Sequence, residues 1–252
     1  MGCCNTNRNN NELELKINGE SKLDRFSQQE NILKKAENCV CKINKIKGGT
    51  GPGFLCNIPF PNNNNLLPVL ITSNNTLGKN DINEGKEIDI SLNKGTLSYT
   101  IMIDENRKKY TNSRSFGITI IEIKKEDGLD TSLFFEIDEN IYENRLNDEY
   151  KDKPIYLIEY SLEENINYSI GLLKSIDEDN INFIYSCQNI GESSGCPLLN
   201  SSNYKIMGIQ KGKVDNEELN KGILIKLPIE KFYDKNSWSI LLNEGNKMVL
   251  YL

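Results

Sequence analysis

From residue 39 to residue 226 the sequence is a succession of short apolar stretches, each bounded by glycine, asparagine, proline or aspartate. Stretches of this length, rich in isoleucine, predict β-strands rather than helices. Many short strands at close spacing are typical of an all-β barrel or sandwich. The predicted strands are residues 39–45, 53–58, 68–72, 88–92, 99–103, 118–123, 155–159, 169–176, 182–185, 197–199, 205–210 and 222–226.

Two predicted helices flank these strands. Over residues 22–37 apolar side chains recur at roughly helical spacing, which predicts an amphipathic helix packed on the domain. Residues 228–232 predict a short C-terminal helix with Pro228 at its first position. The polar, asparagine-rich residues 1–21 are predicted to form a flexible tether, so one domain is expected over residues 22–252.

The charge pattern argues against nucleic acid as a partner. The 252 residues carry a net charge of −6, and the lysines alternate with glutamate and aspartate throughout. A nucleic-acid-binding protein normally shows a basic patch or stripe. The sequence also has no apolar run of about 18 residues, so no membrane-spanning helix is predicted.

The cysteines predict neither a disulfide framework nor a metal site. Their number is odd, their spacing is irregular, and no secretory signal precedes them. The chain has no histidine to complete a zinc site, and no cofactor is predicted. The seven cysteines are Cys3, Cys4, Cys39, Cys41, Cys56, Cys187 and Cys196.

The first residues match a pattern for lipid attachment. Gly2 follows Met1, and Thr6 supplies the hydroxyl residue of an N-myristoylation motif. Cys3 and Cys4 are then candidate palmitoylation sites. A single myristoyl chain binds membranes only marginally, so stable anchoring requires the second acyl chain. The motif predicts a lipid-anchored protein on the cytoplasmic face of a membrane, and an unmodified chain would be cytoplasmic.

Three separated segments contain residues that suggest a functional site. Residues 191–199 read GESSGCPLL, in which Ser194 directly precedes Gly195 and stands three positions ahead of Pro197. The other two segments are residues 69–77, VLITSNNTL, and residues 116–123, FGITIIEI.

In this order and spacing, the three segments resemble the trypsin-like serine peptidases of the chymotrypsin fold, over about residues 40–232. The resemblance implies that Ser194 occupies the position of the nucleophile. It also implies that Asn75 stands where the family has its histidine base. Gly117 stands where the family has the aspartate that orients this base.

The resemblance implies an all-β fold of two packed antiparallel β-barrels of the chymotrypsin type, with an N-terminal helix and a short C-terminal helix. The first barrel is expected at about residues 38–138 and the second at about residues 150–235. The polar residues 139–153, which show no periodicity, are expected to link them.

The chemistry of a serine protease needs a base that the chain does not have. A serine hydroxyl is a poor nucleophile unless a neighbouring base takes its proton during attack. Asn75 is not such a base, Gly117 has no side chain, and the chain contains no histidine at any position. Removing the base from a serine protease lowers turnover by about 10⁶. The sequence therefore predicts a pseudoprotease rather than an enzyme.

The oxyanion hole also departs from the family pattern. Glu192 occupies the position two residues before Ser194, where the family carries glycine. A carboxylate there would oppose the negative charge that develops during acyl transfer. An alternative register makes Ser193 the nucleophile, but it loses the following glycine and displaces the proline, so Ser194 is preferred.

Other hydrolytic chemistries are less well supported. Residues 191–195 also match the Gly-x-Ser-x-Gly nucleophile elbow, but the helix and histidine that this motif requires are missing. Cys196 lacks an activating base and is interpreted as a small apolar residue. A lysine of lowered pKa can act as base, which leaves open a weak serine hydrolase that uses Ser194. The lysines considered for this role are Lys174, Lys205 and Lys211.

The resemblance also suggests a binding role. Residues 206–210 correspond to the strand that lines the family's substrate cleft, so Gly208 and Gln210 are candidate binding residues, although Gln210 is equally an ordinary strand residue. Such clefts are expected to hold extended peptides by strand addition. The main expectation is a membrane-anchored protein that binds a peptide or protein partner. A decaying gene copy without selected activity is the third reading.

Overall fold

The computed structural model of the chain describes residues 22–44, 48–60, 65–143, 145–160, 166–187, 194–214 and 219–243. The helices in these ranges are α1 (Lys22–Cys39), α2 (Leu146–Tyr150) and α3 (Lys226–Asn243). The strands are β1 (Val40–Asn44), β2 (Thr50–Pro59), β3 (Leu66–Ser73), β4 (Glu87–Leu92), β5 (Leu97–Met102), β6 (Lys109–Asn112), β7 (Ile118–Glu122), β8 (Phe135–Glu136), β9 (Pro154–Tyr160), β10 (Ile166–Ile176), β11 (Asn182–Ser186), β12 (Pro197–Asn200), β13 (Ile206–Lys213) and β14 (Asn220–Leu224).

The predicted all-β fold with two units is confirmed. The first unit is one sheet in the order β5-β4-β1-β2-β3-β7-β6, with β8 added to β2. This sheet is a half-barrel whose end strands are β5 and β6. The second unit is a closed antiparallel barrel in the order β10-β11-β14-β13-β12-β9. None of the helices that the structure describes is long and apolar enough to cross a bilayer.

The central strands of the first sheet are buried on both faces. In β3, Val69 and Ile71 belong to the core that continues into the second barrel, whereas Leu70 belongs to the core inside the half-barrel. Successive side chains of a strand point to opposite faces. A strand covered on both sides therefore reads as an unbroken apolar run. This double burial explains why the sequence around β3 shows no alternation of polar and apolar residues.

An extended segment connects the two units. β8 pairs with β2 in parallel, which departs from the antiparallel expectation. Ile137 then forms a parallel bridge with Ile206 of the second barrel, and the backbone N–H of Asp138 donates to the Ile206 carbonyl at 2.8 Å. The Asp138 carboxylate accepts hydrogen bonds from Tyr150 and Asn200, each at 2.8 Å. The chain is thus secured to the second barrel before β9 begins.

Some elements differ from their predicted bounds. Neither β6 nor β8 was predicted, because β6 is polar and β8 has only two residues. The C-terminal helix is longer than predicted and begins at Lys226, so Pro228 lies within its first turn rather than at its first position. Proline is tolerated there because the first N–H groups of a helix have no intrahelical partner. Phe232 of this helix packs edge-on against Phe60, with ring centroids 5.7 Å apart.

Two glycines make room for one aromatic ring inside the second barrel. A Cβ on Gly208 would lie 2.9 Å from Cε1 of the buried Phe183, and a Cβ on Gly222 would meet the same ring. Gly208 is also paired on both sides, with Leu198 of β12 and Leu224 of β14. Gly208 therefore lies within the wall of the closed barrel.

Gly208→Ala is expected to destabilise the protein by about 1–3 kcal/mol, the usual cost of overpacking a filled core. The added methyl group would lie 2.5 Å from the Ile223 carbonyl oxygen and 2.9 Å from the Phe183 ring, so the backbone of β14 or the ring would have to shift. Denaturant unfolding followed by circular dichroism measures the effect. The matched control is Gly78→Ala, whose Cβ would meet no described atom closer than 3.5 Å. Equal unfolding midpoints for the two variants would contradict this account.

Candidate functional site

The serine loop, residues 194–196, is attached to β13 by its backbone. Ser194 is half-buried in the turn before β12, and Gly195 and Cys196 are buried. The N–H of Gly195 donates to the Gln210 carbonyl, and the N–H of Gln210 donates to the Cys196 carbonyl, each at 2.9 Å. These two bonds hold Ser194 beside the strand predicted to line the cleft. Glu192, at the predicted oxyanion position, lies outside the described residues.

Gly195 also brings the serine loop against the first sheet. Its φ of +109° is a conformation that favours glycine. A Cβ at this residue would lie 2.9 Å from the Pro52 carbonyl oxygen and 3.1 Å from the backbone nitrogen of Ser73. The Thr72 hydroxyl donates to the same Pro52 carbonyl at 2.6 Å. Ser194 therefore lies next to the end of β3.

The turn that follows β3 carries Asn75. The N–H of Thr76 donates to the Ser73 carbonyl at 3.0 Å, and the hydroxyls of these two residues are 3.1 Å apart. Asn75 is exposed within this turn. The backbone N–H of Asn74 donates to the carbonyl of Gly117 at 2.8 Å. Because Asn74 directly precedes Asn75, this bond places Gly117 beside the turn that carries Asn75.

Gly117 has a left-handed backbone, with φ at +64°. No described atom lies within 4 Å of the position that its Cβ would occupy, so a side chain would have space but a strained backbone. Uncharged side chains support the neighbouring turn. The Asn74 amide donates to the Thr111 hydroxyl at 2.6 Å, and this hydroxyl is 2.8 Å from that of the buried Thr119. Thr119 in turn donates to the Leu77 carbonyl at 2.6 Å.

The three segments singled out in the sequence thus meet in space. Gly195 lies against Ser73, and Asn74 is hydrogen-bonded to Gly117, although these residues are far apart along the chain. The two β units meet at the serine loop and at the turn after β3. Solved serine proteases share this arrangement. The chain has the fold of the trypsin-like serine proteases.

Solved structures with this fold match the chain at low identity. Deg5 shares 17% identity at a TM-score of 0.56, over 84% of this chain and 95% of Deg5. A serine endoprotease from Yersinia pestis shares 13% at 0.55, over 81% of this chain and 66% of that protein. Rv3671c from M. tuberculosis H37Rv, as an inactive serine-to-alanine mutant, shares 10% at 0.54, over 82% and 90%. Neither a protein-family model nor a curated protein matches the chain.

The described residues offer little other reactive chemistry. No three histidine, cysteine, aspartate or glutamate side chains in this part of the chain are grouped to hold a metal ion. Burial raises the pKa of Cys39 to about 12, and it raises the pKa values of Cys41 and Cys56 as well. Such buried thiols are inert because the thiolate is the reactive form.

The backbone of Gln210 is hydrogen-bonded to the serine loop, but its side-chain oxygen has no hydrogen-bond partner among the described residues. Its side chain is only 2% exposed, and its Oε1 atom accepts no hydrogen bond from the described residues. Its Nε2 atom donates to the Gly212 carbonyl at 3.4 Å, a long hydrogen bond. The Tyr185 hydroxyl is likewise buried without a described partner. Burial raises the pKa of Tyr185, and Cys187 and Cys196 add to this effect.

The three lysines considered as bases lie in different surroundings. Lys205 forms ion pairs with Glu136 and Glu139, each at 3.1 Å, and these carboxylates raise its pKa. Lys174 lies in β10, which pairs with β9 and β11 rather than with β13. Lys211 directly follows Gln210, and its pKa is lowered by burial and by Lys221.

Gln210→Met is expected to stabilise the protein by about 1 kcal/mol, because it removes a buried acceptor that has no described partner. The matched control is Asn200→Leu. That amide is also buried, but it donates to Asp138 and its oxygen accepts from the N–H of Ser202 at 3.0 Å. This control is expected to lose about 1–3 kcal/mol. Thermal unfolding of both variants measures the difference, and destabilisation by Gln210→Met would show that its oxygen has a structural partner.

Proposed function

We propose that this chain is a pseudoprotease, a trypsin-like fold that binds an extended peptide or protein segment without cutting it. One observation carries the proposal. The serine loop and the two segments beside it converge as in a protease, but they present Asn75 and Gly117, and the chain contains no histidine. The place of a serine protease site is therefore retained while the groups that activate the serine are replaced.

The chemistry supports binding over turnover. An asparagine amide cannot take the proton from Ser194, because its oxygen is far too weak a base near neutral pH. Gly117 offers no carboxylate to stabilise a charged base. A serine protease without its base retains at most about 10³–10⁴ over the uncatalysed reaction, from the oxyanion hole and substrate binding. The resulting rate would leave bound peptides essentially intact.

The pairing of β13 supports strand addition as the mode of binding. Residues 211–213 of β13 are paired on one side with β14, through Gly212 and Lys221 and through Lys213 and Asn220. On the other side, the pairing with β12 ends at Ile209 and Pro197. Within the described residues no strand covers this second side of residues 211–213. An extended peptide can use such an edge by backbone hydrogen bonding.

A fluorophosphonate probe tests the central claim, because it labels only serines that are activated as nucleophiles. We expect no labelling of the folded protein, with an active trypsin-like protease as positive control. The Ser194→Ala and Ser193→Ala variants identify the residue responsible for any signal. Labelling that disappears only in Ser194→Ala would overturn the proposal.

A weak serine hydrolase is the second candidate, because the exposed Lys211 directly follows Gln210, whose backbone is bonded to the serine loop, and partial burial together with the charge of Lys221 lowers its pKa. A lysine acts as a base only after it loses its proton. Labelling by such an enzyme would therefore rise with pH through the pKa of Lys211 and would be lost in Lys211→Ala. The pseudoprotease predicts no Ser194-dependent labelling at any pH, so a pH series separates the two functions.

We also propose a lipid anchor at Gly2, with Cys3 and Cys4 as sites of the second acyl chain; these residues lie outside the described part of the chain. Metabolic labelling with alkyne analogues of myristate and palmitate is expected to mark the protein. Gly2→Ala should abolish the myristate signal and move the protein from the membrane fraction to the soluble fraction.

The matched control is Cys3→Ser combined with Cys4→Ser. This variant should keep its myristate but lose stable membrane association, since one myristoyl chain binds with a constant of only about 10⁴ M⁻¹. Full membrane retention of both variants would contradict the anchor and leave the pseudoprotease proposal unaffected.

A further inference from the structure

Two polar side chains, those of Gln210 and Tyr185, face the interior of the second barrel. A Cβ on Gly208 would meet the Phe183 ring, so these two positions face inward. Gln210 lies two positions after Gly208 on β13, and Tyr185 lies two positions after Phe183 on β11. The register with β14 shifts only beyond Gln210, at a bulge formed by Lys211. Side chains two positions apart on a strand share a face, so Gln210 and Tyr185 also face inward.

The two side chains lie at the end of the barrel that holds the serine loop. β11 and β13 are both antiparallel to β14, so they run in the same direction, and both residues lie toward the same end. The backbone N–H of Gln210 donates to the Cys196 carbonyl at 2.9 Å. Cys196 is also one of the neighbours that raise the pKa of Tyr185. The residue that follows Gly195 in the serine loop is thus a neighbour of both side chains.

The buried oxygens of these two side chains have no hydrogen-bond partner among the described residues. Gln210 is 2% exposed and Tyr185 is fully buried, and neither Oε1 of Gln210 nor the Tyr185 hydroxyl is hydrogen-bonded there. The Nε2 atom of Gln210 reaches only the Gly212 carbonyl, at 3.4 Å. A buried polar group without a partner lowers stability, and native proteins contain few of them. Two such groups beside the serine loop therefore point to a function.

The two oxygens require a bridging group that both donates and accepts. Oε1 of Gln210 can only accept, whereas the Tyr185 hydroxyl has a proton to donate. Burial raises the pKa of Tyr185, and Cys187, Cys196 and Glu159 add to this effect, so the hydroxyl keeps its proton. The two oxygens are not hydrogen-bonded to each other, so a third group has to lie between them.

A carboxamide is the side-chain group that fits this requirement. Its NH₂ donates and its oxygen accepts, so it can bond to both Gln210 and Tyr185. A lysine ammonium group has donors only and would leave the Tyr185 proton without an acceptor. A carboxylate has acceptors only and would leave Oε1 of Gln210 without a donor. A water molecule can also bridge two such groups when no ligand is bound.

We infer that the bound peptide places an asparagine or glutamine side chain between Gln210 and Tyr185, beside Ser194. This inference rests on the proposed peptide-binding function and adds the class of residue that the ligand carries at the serine loop. The peptide backbone pairs with the open side of residues 211–213, which follow Gln210 directly. A site built to hydrogen-bond a ligand group discriminates against an analogue that lacks this group.

Fluorescence polarisation with short labelled peptides tests the inference. The peptides share a uniform valine–threonine repeat and differ at one central residue, which is glutamine, asparagine, methionine, leucine or lysine. The uniform repeat lets the central residue reach the site whatever the register of the added strand. Methionine and leucine are the apolar counterparts of glutamine and asparagine. At least one carboxamide peptide should bind the wild-type chain about tenfold more tightly than its apolar counterpart, as two hydrogen bonds allow.

The Gln210→Met/Tyr185→Phe variant should abolish this preference, because it removes both buried oxygens and nearly conserves the side-chain shapes. It should bind the apolar peptides within about twofold of wild type. The matched control is Tyr142→Phe, which removes another buried hydroxyl without a described partner, in the 3₁₀ helix Glu139–Tyr142. The control should keep the preference. Thermal unfolding midpoints at or above that of wild type show that both variants are folded.

The other outcomes would contradict the inference in different ways. Equal binding of each carboxamide peptide and its apolar counterpart by wild type would leave peptide binding standing and assign the two oxygens to a bound water only. Tightest binding of the lysine peptide would assign recognition to a carboxylate such as that of the buried Glu159. A carboxamide preference that survives in the double variant would place recognition elsewhere. Failure of every peptide to bind would overturn both the inference and the proposed peptide-binding function.

Discussion

The close approach of Gly195 to the end of β3 sets the relation between the two units. Its amide is bonded to Gln210, and its Cα faces the Pro52 carbonyl and the Ser73 amide, so no side chain fits there. Around this contact, one hydrophobic core runs from the faces of β2 and β3 into the second barrel. Packing therefore fixes Ser194 beside the turn after β3, whether or not the site performs catalysis. A chain can lose a base and keep this geometry, because neither contact involves the base.

The neighbouring turn is held by uncharged groups. In a serine protease triad, an aspartate orients and stabilises the histidine through a charged hydrogen bond. Here the Asn74 amide reaches Thr111, and its backbone N–H reaches the carbonyl of Gly117. The left-handed conformation of Gly117 costs an L-amino acid with a Cβ about 1–2 kcal/mol, although aspartate tolerates it better than most. The backbone at Gly117 is thus suited to glycine, and introducing a carboxylate there would introduce strain.

The sequence could predict this fold because its strands are short and apolar and its turns are marked by glycine and asparagine. The order and spacing of residues 69–77, 116–123 and 191–199 along the chain were also enough to predict that these three segments form one site. The sequence could not predict β8, since a two-residue strand is defined by its partner, nor the bulge at Lys211, which depends on the register with β14. Nor could the sequence predict that Gly208 packs against the Phe183 ring, because this contact between strands depends on how the barrel closes.

If the chain has lost the base, as proposed, the free energy of peptide binding accomplishes something different from what it does in an enzyme. An enzyme gains rate only from interactions that are stronger in the transition state than in the ground state. A binding protein gains affinity from interactions with the ground state, and its complexes last as long as dissociation allows. Under the function proposed above, a site without a base is therefore better suited to holding a peptide than to transforming one.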